Sequence, residues 1–441
     1  MKKLTIITTL ALMAAIAQSA PLKFSGNARP AWTETPSAAT GLEAVSVLYG
    51  LQGVTATYTA SSASAAARVQ VAVWDSRGAA YAEPLNSTSI TRSGNQVTVS
   101  GLTDNTGYSF TEGNRTTYHW IIDYSTRPFR ADALSIAAEQ ECGRAWLDFT
   151  GSAEPITYHG INGRSWTLSR DIELHYSTLE FNRDNFAYNS VEATETLESI
   201  RNSTINLEAP LCDTYFSLSG DSFLRFWGEE IQVTSPRYSA TSVAAEVSAE
   251  QKGEKADNQV NIDTDGLGGS APLEIEFKAV VTDAAMFHEW QFSPDEDFYD
   301  ITMRTSQLEF TQIFNTMGTT YVRFTAANGD GSCQTDSEVF KVYIGESFLR
   351  CPNVFSPGST EGTNDEWKVS YKSITSFECY IFNRWGQKMV EFHDPSRGWD
   401  GRFKGKLVPA GVYYYVIKAT GSDNKKYNLS GDINIVGYTG E

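Results

Sequence analysis

Four short blocks decide the fold of the C-terminal part of the chain: Cys351-Pro352-Asn353-Val354-Phe355, Ile381-Phe382-Asn383-Arg384-Trp385-Gly386, Trp399-Asp400-Gly401 and Pro409-Ala410-Gly411-Val412-Tyr413-Tyr414-Tyr415. Each block joins apolar or aromatic residues to a Gly, Pro or Asn turn, which is the pattern of a strand end. Phe377, Cys379 and Ile381 alternate with polar residues, as in a half-buried strand. The blocks predict a small β-sandwich of about seven strands over residues 350–436.

Taken together, these blocks closely resemble the gliding motility-associated C-terminal domain of Bacteroidota, the type B sorting signal of the type IX secretion system. The blocks agree with the family in order and spacing over residues 350–436, about a fifth of the chain. The loop Ser356–Asp365 departs from the family pattern because it lacks the first acidic pair. The resemblance therefore does not extend to an ion site in this loop.

The resemblance implies a route and a set of partners. An N-terminal signal would deliver the chain to the periplasm, and the C-terminal sandwich would be recognised by the outer-membrane type IX translocon. A PorP/SprF-like β-barrel of the outer membrane is the implied docking partner, and the outer face of the cell is the implied destination. The family motif places sorting and docking on these residues: Pro352, Asn353, Phe355, Asn364, Asp365, Phe382, Asn383, Arg384, Trp385, Gly386, Trp399, Asp400, Gly401, Gly411 and Tyr413.

Two interpretations of the aromatic turns stay open at the level of sequence. Arg384 beside Trp385 is an apt interface pair, because the ring supplies area and the guanidinium supplies directional bonds. Alternatively, the Asn383–Gly386 and Asp400-Gly401 segments are ordinary turns, and Trp385 and Trp399 fill the core of the sandwich.

The start of the chain predicts export. Lys2 and Lys3 precede an apolar run from Leu4 to Ala17, which is too short to span a bilayer and is followed by small residues. This pattern predicts a signal peptide over residues 1–19. No later segment is apolar enough to predict a membrane helix.

Charge divides the chain into two parts. Residues 350–441 carry 12 Lys and Arg against 10 Asp and Glu, whereas residues 1–349 carry 23 against 43. An acidic passenger therefore precedes a slightly basic C-terminal domain. Nucleic acids and anionic membranes are disfavoured as partners, because binding these polyanions relies on Lys and Arg.

Upstream, the sequence predicts tandem Ig-like and fibronectin-like β-sandwiches. Residues 20–40 are rich in Pro, Ala, Ser and Thr and indicate a linker. An Ig/FnIII-like sandwich is predicted over residues 41–130, where the Leu102-x-x-x-Thr106-x-Tyr108 spacing resembles a tyrosine corner. A second Ig-like sandwich is predicted over residues 131–240, with one of its strands at Phe223–Trp227.

The third upstream segment, residues 245–345, resembles a PKD or Ig-like domain through Trp290-Gln291-Phe292-Ser293 and the late strand Gly318–Phe324. Residues 261–266 match the opening of a calcium loop, but Pro272 replaces the expected bidentate Glu, so a solvated turn is favoured. The acidic cluster around Asp295 also reads as a solvated turn.

Five cysteines permit disulfides in an exported protein. We predict a bridge between Cys142 and Cys212 within one domain. Cys351 and Cys379 are a second candidate pair, which would leave Cys333 free. Pairing of Cys333 with Cys351 is the rival, and buried unpaired thiols are a further alternative.

Nothing in the sequence indicates catalysis. The His residues are scattered, and neither Gly-x-Ser-x-Gly nor His-Glu-x-x-His occurs. We predict a non-enzymatic, all-β surface protein without cofactor or metal, acting as a structural or assembly subunit. The alternative is an adhesin that binds surface proteins or glycans through exposed aromatic residues, with Trp146, Trp166 and Trp227 as a hypothetical sugar platform.

Overall fold

The computed structural model describes residues 22–358 and 364–437, so the predicted signal peptide lies outside the described residues. The described chain is all-β, as predicted, and its sheets form four successive groups. Two short helices interrupt the strands, α1 at Ala63–Ala66 and α2 at Ser222–Phe226. No helix within the described residues is long and apolar enough to cross a membrane.

The first unit is a sandwich of a four-stranded sheet (β1-β4-β8-β7) and a six-stranded sheet (β2-β3-β10-β9-β5-β6). Its tyrosine corner is confirmed, because the Thr103 N–H donates to the Tyr108 phenol oxygen over 2.8 Å. The strands are β1 Lys23–Ser25, β2 Trp32–Glu34, β3 Ala44–Leu48, β4 Thr55–Thr59, β5 Gln70–Trp74, β6 Glu83–Pro84, β7 Ile90–Ser93, β8 Gln96–Ser100, β9 Thr106–Glu112 and β10 Arg115–Asp123.

The predicted linker over residues 20–40 is wrong for its described part. β1 pairs with β4 in one sheet, and β2 pairs with β3 in the other. Trp32 also packs edge-on against Phe223 of the second unit at 4.9 Å. The Pro and Ser content of this segment is typical of a linker. Both strands are edge strands of only three residues, which is too short for the alternation of apolar and polar residues to reveal a strand.

The second unit contains three sheets: β11-β12-β17, β13-β14 and β16-β15-β18-β19. The predicted strand at Phe223–Trp227 is wrong, because Asp221 caps α2 by accepting the Leu224 N–H at 3.0 Å. The strands are β11 Arg130–Ile136, β12 Arg144–Ala153, β13 Ile156–His159, β14 Ser165–Leu168, β15 Ile172–Asn182, β16 Ala187–Leu197, β17 Ile200–Glu208, β18 Ser217–Gly220 and β19 Ile231–Thr234.

The first and second units share one hydrophobic core. Trp120 of β10 and Tyr124, which directly follows β10, belong to the same buried cluster as Phe129, Leu147 and Phe223. Two units with a common core cannot move independently, so they form one body rather than two beads on a string.

A buried ion pair lies at this boundary. Arg170 and Asp221 are fully buried, and the Arg170 Nε–H donates to the Asp221 carboxylate at 2.7 Å. Arg170 also donates to the carbonyls of Arg127 and Glu154, at 2.9 Å each. The Tyr124 hydroxyl donates to the Asp221 carboxylate. Burial raises the pKa of the Tyr124 phenol, and the Asp221 charge raises it further, so the phenol stays protonated and remains a donor.

The third unit is a sandwich of the sheets β20-β22-β25 and β21-β28-β26-β23-β24, with β27 paired to β26. Trp290 and Phe292 are buried in its core. The strands are β20 Ala245–Lys252, β21 Leu267–Gly269, β22 Leu273–Val281, β23 Phe287–Ser293, β24 Met303–Thr305, β25 Glu309–Phe314, β26 Gly318–Ala327, β27 Gln334–Asp336 and β28 Phe340–Ile344.

The C-terminal unit is built on the five-stranded sheet β30-β37-β36-β32-β33, with the pairs β29-β31 and β34-β35 beside it. Several strands are only two or three residues long, so more strand segments are present than the seven expected. The strands are β29 Phe348–Arg350, β30 Val354–Phe355, β31 Ser370–Lys372, β32 Ile374–Phe382, β33 Lys388–Phe392, β34 Arg402–Phe403, β35 Lys406–Leu407, β36 Gly411–Gly421 and β37 Lys426–Ile435.

The segment that follows β20 pairs with the C-terminal unit. The Val260 N–H donates to the Tyr371 carbonyl at 2.8 Å, and the Tyr371 N–H donates to the Asn258 carbonyl at 3.2 Å. The Asn258 amide also donates to the carbonyls of Val369 and Pro395. The third unit therefore supplies an extra strand-like segment to its neighbour.

The predicted Cys142–Cys212 disulfide is wrong. Cys142 is bonded to Cys333, at a Cα–Cα distance of 5.1 Å, which links the second unit to the third. The two loops meet because Ser242 accepts the Gly143 N–H and the Asn328 amide donates to the Thr241 carbonyl. The sequence favours a bridge within one domain, because contacts between domains leave no local signal in the sequence.

The second predicted pair, Cys351–Cys379, is also wrong, and so is the expectation that Cys333 is free. Cys212, Cys351 and Cys379 are all free thiols. Burial raises the pKa of the Cys351 thiol to about 11 and that of Cys379 further still. Both therefore behave as small apolar groups in the core.

We expect peptide mapping under non-reducing conditions to find Cys142 linked to Cys333. Replacing both with Ser should lower the free energy of unfolding by about 2–5 kcal/mol, because the bridge restricts the unfolded chain. Cys212→Ser is the matched control, since Cys212 is unbonded, and it should leave the transition in place. A peptide that links Cys142 to Cys212 would contradict the pairing.

Breaking the buried ion pair should be strongly destabilising. Arg170→Met leaves the Asp221 charge buried without its partner, so we expect a loss of about 3–5 kcal/mol in urea unfolding. The control is Arg77→Ala, which removes an exposed ion pair with Asp75 and should leave the transition unchanged. If Arg170→Met shifted the unfolding transition no more than an inert Arg77→Ala, the buried pair would be dispensable for stability.

Candidate functional site

The sequence motif of the C-terminal unit separates into buried and exposed parts. Trp399 is buried, and its main chain exchanges two hydrogen bonds with that of Trp367, at 2.8 and 3.0 Å. The Trp399 indole N–H donates to the Arg402 carbonyl, and its ring lies 5.2 Å from that of Tyr413. Trp399 therefore fills the core, as the structural interpretation of this block predicts.

The Pro352–Phe355 block anchors the start of the unit to its last strand. The Pro352 carbonyl accepts the Trp367 indole N–H at 2.7 Å. The Asn353 carbonyl accepts the main-chain and side-chain N–H groups of Asn434. Phe355 is buried against Trp399, with ring centroids 5.7 Å apart. Through these contacts the block closes the sandwich.

The loop after Phe355 is described only in part, since residues 359–363 lie outside the described residues. The Asn364 carbonyl accepts the Ser356 N–H, and the Asp365 carboxylate accepts the Gly358 N–H at 2.9 Å. Asn364 has a φ of 58°, a backbone region that Asn tolerates better than most residues. Asn364 and Asp365 thus shape the loop.

The Asp400-Gly401 turn is structural as well. The Asp400 carboxylate accepts the Arg402 N–H at 3.0 Å, which forms an Asx turn. Gly401 has a φ of 73°, and a Cβ there would lie 3.0 Å from the Pro357 ring. Glycine meets both requirements at this position without strain or displacement of the proline ring.

The Asn383–Gly386 turn has a different character, because it holds two large side chains outside the core. The Asn383 side-chain oxygen accepts the N–H groups of Trp385 and Gln387, at 3.0 Å each. Trp385 is 76% exposed. The Arg384 guanidinium lies 4.4 Å from the centre of the Trp385 ring, a cation–π contact.

This turn forms one wall of a groove of about 880 Å³. The β34-β35 hairpin forms another wall, and the start of β36 forms the floor. Phe382 ends the strand that leads into the turn, and Gly411 and Tyr413 line the floor. The groove is lined by Asn383, Arg384, Trp385, Met389, Phe403, Lys404, Lys406, Leu407, Val408, Pro409, Ala410, Gly411, Val412, Tyr413 and Tyr414.

The lining combines aromatic rings with cations. Arg384, Lys404 and Lys406 contribute positive charge, and no Asp or Glu lines the groove. Burial raises the pKa of the Tyr413 phenol, and the nearby Arg384 charge partly opposes that rise. The Tyr413 hydroxyl donates to the Pro409 carbonyl at 3.0 Å, which fixes the loop before β36. Such a surface binds by stacking, apolar contact and charge.

Sequence reasoning identified Arg384, Trp385, Gly411 and Tyr413 but missed the hairpin. Phe403 and Lys406 lie in two-residue strands, which are too short for periodicity to detect. Lys404 lies in the turn between them, and the Lys404-Gly405 pair is the local signal for this hairpin.

The other candidate sites of the sequence are structural. Asp295 accepts the N–H groups of Tyr299 and Asp300, so the acidic cluster closes a turn. Trp166 and Trp227 are partly buried and pack against the shared core, as core-packing aromatic residues do. Within residues 22–358 and 364–437, no group of three or more His, Cys, Asp or Glu side chains is arranged to hold a metal, the 261–266 segment included.

Two family models match the chain. The model described as a CHU_C type IX secretion signal domain matches residues 349–435, and that described as a fibronectin type III domain matches residues 135–235. The resemblance of the C-terminal unit to a type IX sorting domain is therefore confirmed. A signal domain of this kind implies engagement with the secretion machinery and export to the cell surface.

No curated protein matches the chain. A solved structure of a tetra-tandem repeat in the extending region of a large adhesion protein is 11% identical, covers 89% of this chain and 99% of that chain, and has a TM-score of 0.22. The fibronectin(III)-like modules of Clostridium thermocellum CbhA are 13% identical over 38% of this chain and 89% of that chain, with a TM-score of 0.18.

Dimeric latent PorU from Porphyromonas gingivalis is 10% identical over 74% of this chain and 36% of that chain, with a TM-score of 0.15. At these identities and scores, the three structures add nothing about function.

The two tryptophans of the motif should respond differently to truncation. Trp399→Ala removes a buried ring and should destabilise the C-terminal unit by about 3–5 kcal/mol in thermal unfolding of the whole chain. Trp385→Ala removes an exposed ring and should leave the melting temperature unchanged, which makes it the matched control. A comparable loss of stability in both variants would contradict the assignment of Trp385 to the surface.

Proposed function

We propose that this exported surface protein is a non-enzymatic structural or assembly subunit whose secretion signal domain docks on a PorP/SprF-like outer-membrane β-barrel. The observation that carries the proposal is the position of Trp385, which is 76% exposed under the Arg384 guanidinium. Exposed Trp costs solubility and contributes little to folding, whereas Trp and Arg are the residues that dominate binding energy at interfaces.

The geometry of the turn supports a binding role. Asn383 satisfies the turn's main-chain donors, so the side chains of Arg384 and Trp385 are not needed to hold its conformation. Their orientation is preset by the turn and by their mutual stacking, which lowers the entropy that a partner must remove. The adjoining groove of about 880 Å³ offers room for a protruding segment of a partner.

The rest of the chain supports a structural or assembly role. The first two units share a core, Cys142–Cys333 joins the second unit to the third, and Asn258 joins the third to the C-terminal unit. A signal domain anchored to a barrel would thus hold the upstream units at a defined orientation. This is the property expected of a subunit that builds a surface assembly.

An adhesin that binds glycans is the second candidate function, and one surface feature favours it. In the second unit, Tyr215 is 58% exposed beside a cavity of about 280 Å³ that is also lined by His175, Glu192 and Asp213. An exposed ring can stack on the apolar face of a sugar while carboxylates accept hydrogen bonds from its hydroxyl groups. Glycan-array binding that Tyr215→Ala abolishes would favour this function.

Arg384→Ala in the full chain should weaken capture of a purified PorP/SprF-like barrel in detergent by about tenfold, the scale of an interface hot spot. The melting temperature should stay unchanged, because the guanidinium stacks only on an exposed ring. Biolayer interferometry with immobilised protein measures the affinity.

The matched control is Arg397→Ala, which removes an exposed arginine of the same unit that does not line the groove. The docking assignment would be overturned if Arg384→Ala and Trp385→Ala both captured the barrel at the strength of the parent protein.

A further inference from the structure

We infer that the groove of the C-terminal unit receives an acidic, extended segment of the barrel's extracellular loops. The inference rests on the proposed docking function and specifies the chemistry of the partner at the same site.

The first observation is uncompensated positive charge. Arg384, Lys404 and Lys406 line the groove, and none of the three forms an ion pair with another residue of the described chain. Other cations of this unit do form such pairs, for example Lys368 with Asp257 and Lys388 with Glu391. A groove with several cations and no lining carboxylate attracts anions, and the low-dielectric aromatic walls strengthen the attraction.

The second observation is the backbone of Lys404. Lys404 and Gly405 have φ values of 50° and 81°, so they are the central residues of a tight hairpin turn between β34 and β35. Asn, Asp and Gly are preferred at these left-handed positions, because other side chains crowd the backbone there. The Arg402 guanidinium fixes the turn by donating to the Gly405 carbonyl at 3.2 Å. The turn places the Lys404 charge beside the groove.

The third observation concerns the strand at the floor. β36 begins at Gly411, but its pairing with β32 starts only at Tyr414, opposite Phe382. Gly411, Val412 and Tyr413 therefore have a strand partner in β37 alone within the described residues. The edge of these three residues that would face β32 is free of strand pairing in the described chain, because β32 ends at Phe382 and the chain then enters the Asn383–Gly386 turn. An extended segment can pair with such an edge through its main chain, and side-chain contacts then supply specificity.

These observations define the occupant. Main-chain pairing requires an extended segment, the three cations require carboxylates, and the exposed ring of Trp385 favours an apolar residue between them. Extracellular loops are the long, water-exposed segments of outer-membrane barrels, so they can supply such a segment. The acidic passenger of a second copy of this chain is the competing occupant.

The test compares Lys404→Asn/Lys406→Gln with the parent protein, using full-length chains and the purified barrel at 0.05 and 0.5 M NaCl. Asn suits the left-handed turn position better than Lys, so the double variant should melt no lower than the parent. We expect its capture of the barrel to be about tenfold weaker at low salt and nearly independent of salt, since rim charges set the salt dependence of association. Arg397→Gln removes one charge outside the groove and serves as the control.

A reciprocal test neutralises the Asp and Glu residues of the barrel's extracellular loops to Asn and Gln. The loss should match that of the lysine variant, and combining the two should add nothing, as expected for directly coupled groups. If the lysine variant binds with unchanged affinity and salt dependence while Trp385→Ala weakens capture, the acidic occupant is wrong and the docking function stands. Sedimentation velocity of the full chain that shows self-association lost in the lysine variant would identify a second copy as the occupant and overturn the inference.

Discussion

The arrangement of the upstream chain depends on the fully buried pair of Arg170 and Asp221. Burying two charges is unfavourable unless all their hydrogen bonds are satisfied. Here the guanidinium reaches Arg127 and Glu154 carbonyls, and the carboxylate reaches Tyr124 and the first turn of α2. Any rotation between the first and second units would leave one of these groups unpaired in the core. The ion pair therefore specifies one relative orientation more than it adds net stability.

In the C-terminal unit, too, the polar atoms of buried side chains are hydrogen-bonded. Its buried aromatics, Trp367 and Trp399, have their indole N–H groups bonded to main-chain carbonyls, whereas Trp385 stands outside the core on a turn held by Asn383. One sequence motif thus contains two kinds of tryptophan with opposite roles. The division allows the surface of the groove to vary without disturbing the sandwich beneath it.

Sequence patterns predicted the all-β class, the C-terminal sandwich and the tyrosine corner at Tyr108, because these depend on local alternation and turn chemistry. They failed where the deciding contact is distant in sequence. The Cys142–Cys333 bridge joins two units, and the two strands within residues 20–40 pair with β4 and β3 of their own unit. The helix at Ser222–Phe226 is too short to show a helical period in the sequence. At the candidate site, Arg384 and Trp385 were predicted from a motif, but the lysines of the hairpin were not, since strands of two residues carry no periodicity.

The Cys142–Cys333 bridge has a mechanical consequence for a protein at the cell surface. The bridge spans 191 residues of sequence. When the two ends of the chain are pulled, tension passes through the sulfur atoms and bypasses this loop. With the bond intact, that part of the chain cannot contribute its extended length of roughly 600–700 Å, at about 3.3–3.6 Å per residue. Under drag, the reach of the protein is limited covalently, and strands β12 to β26 lie off the covalent path of the tension.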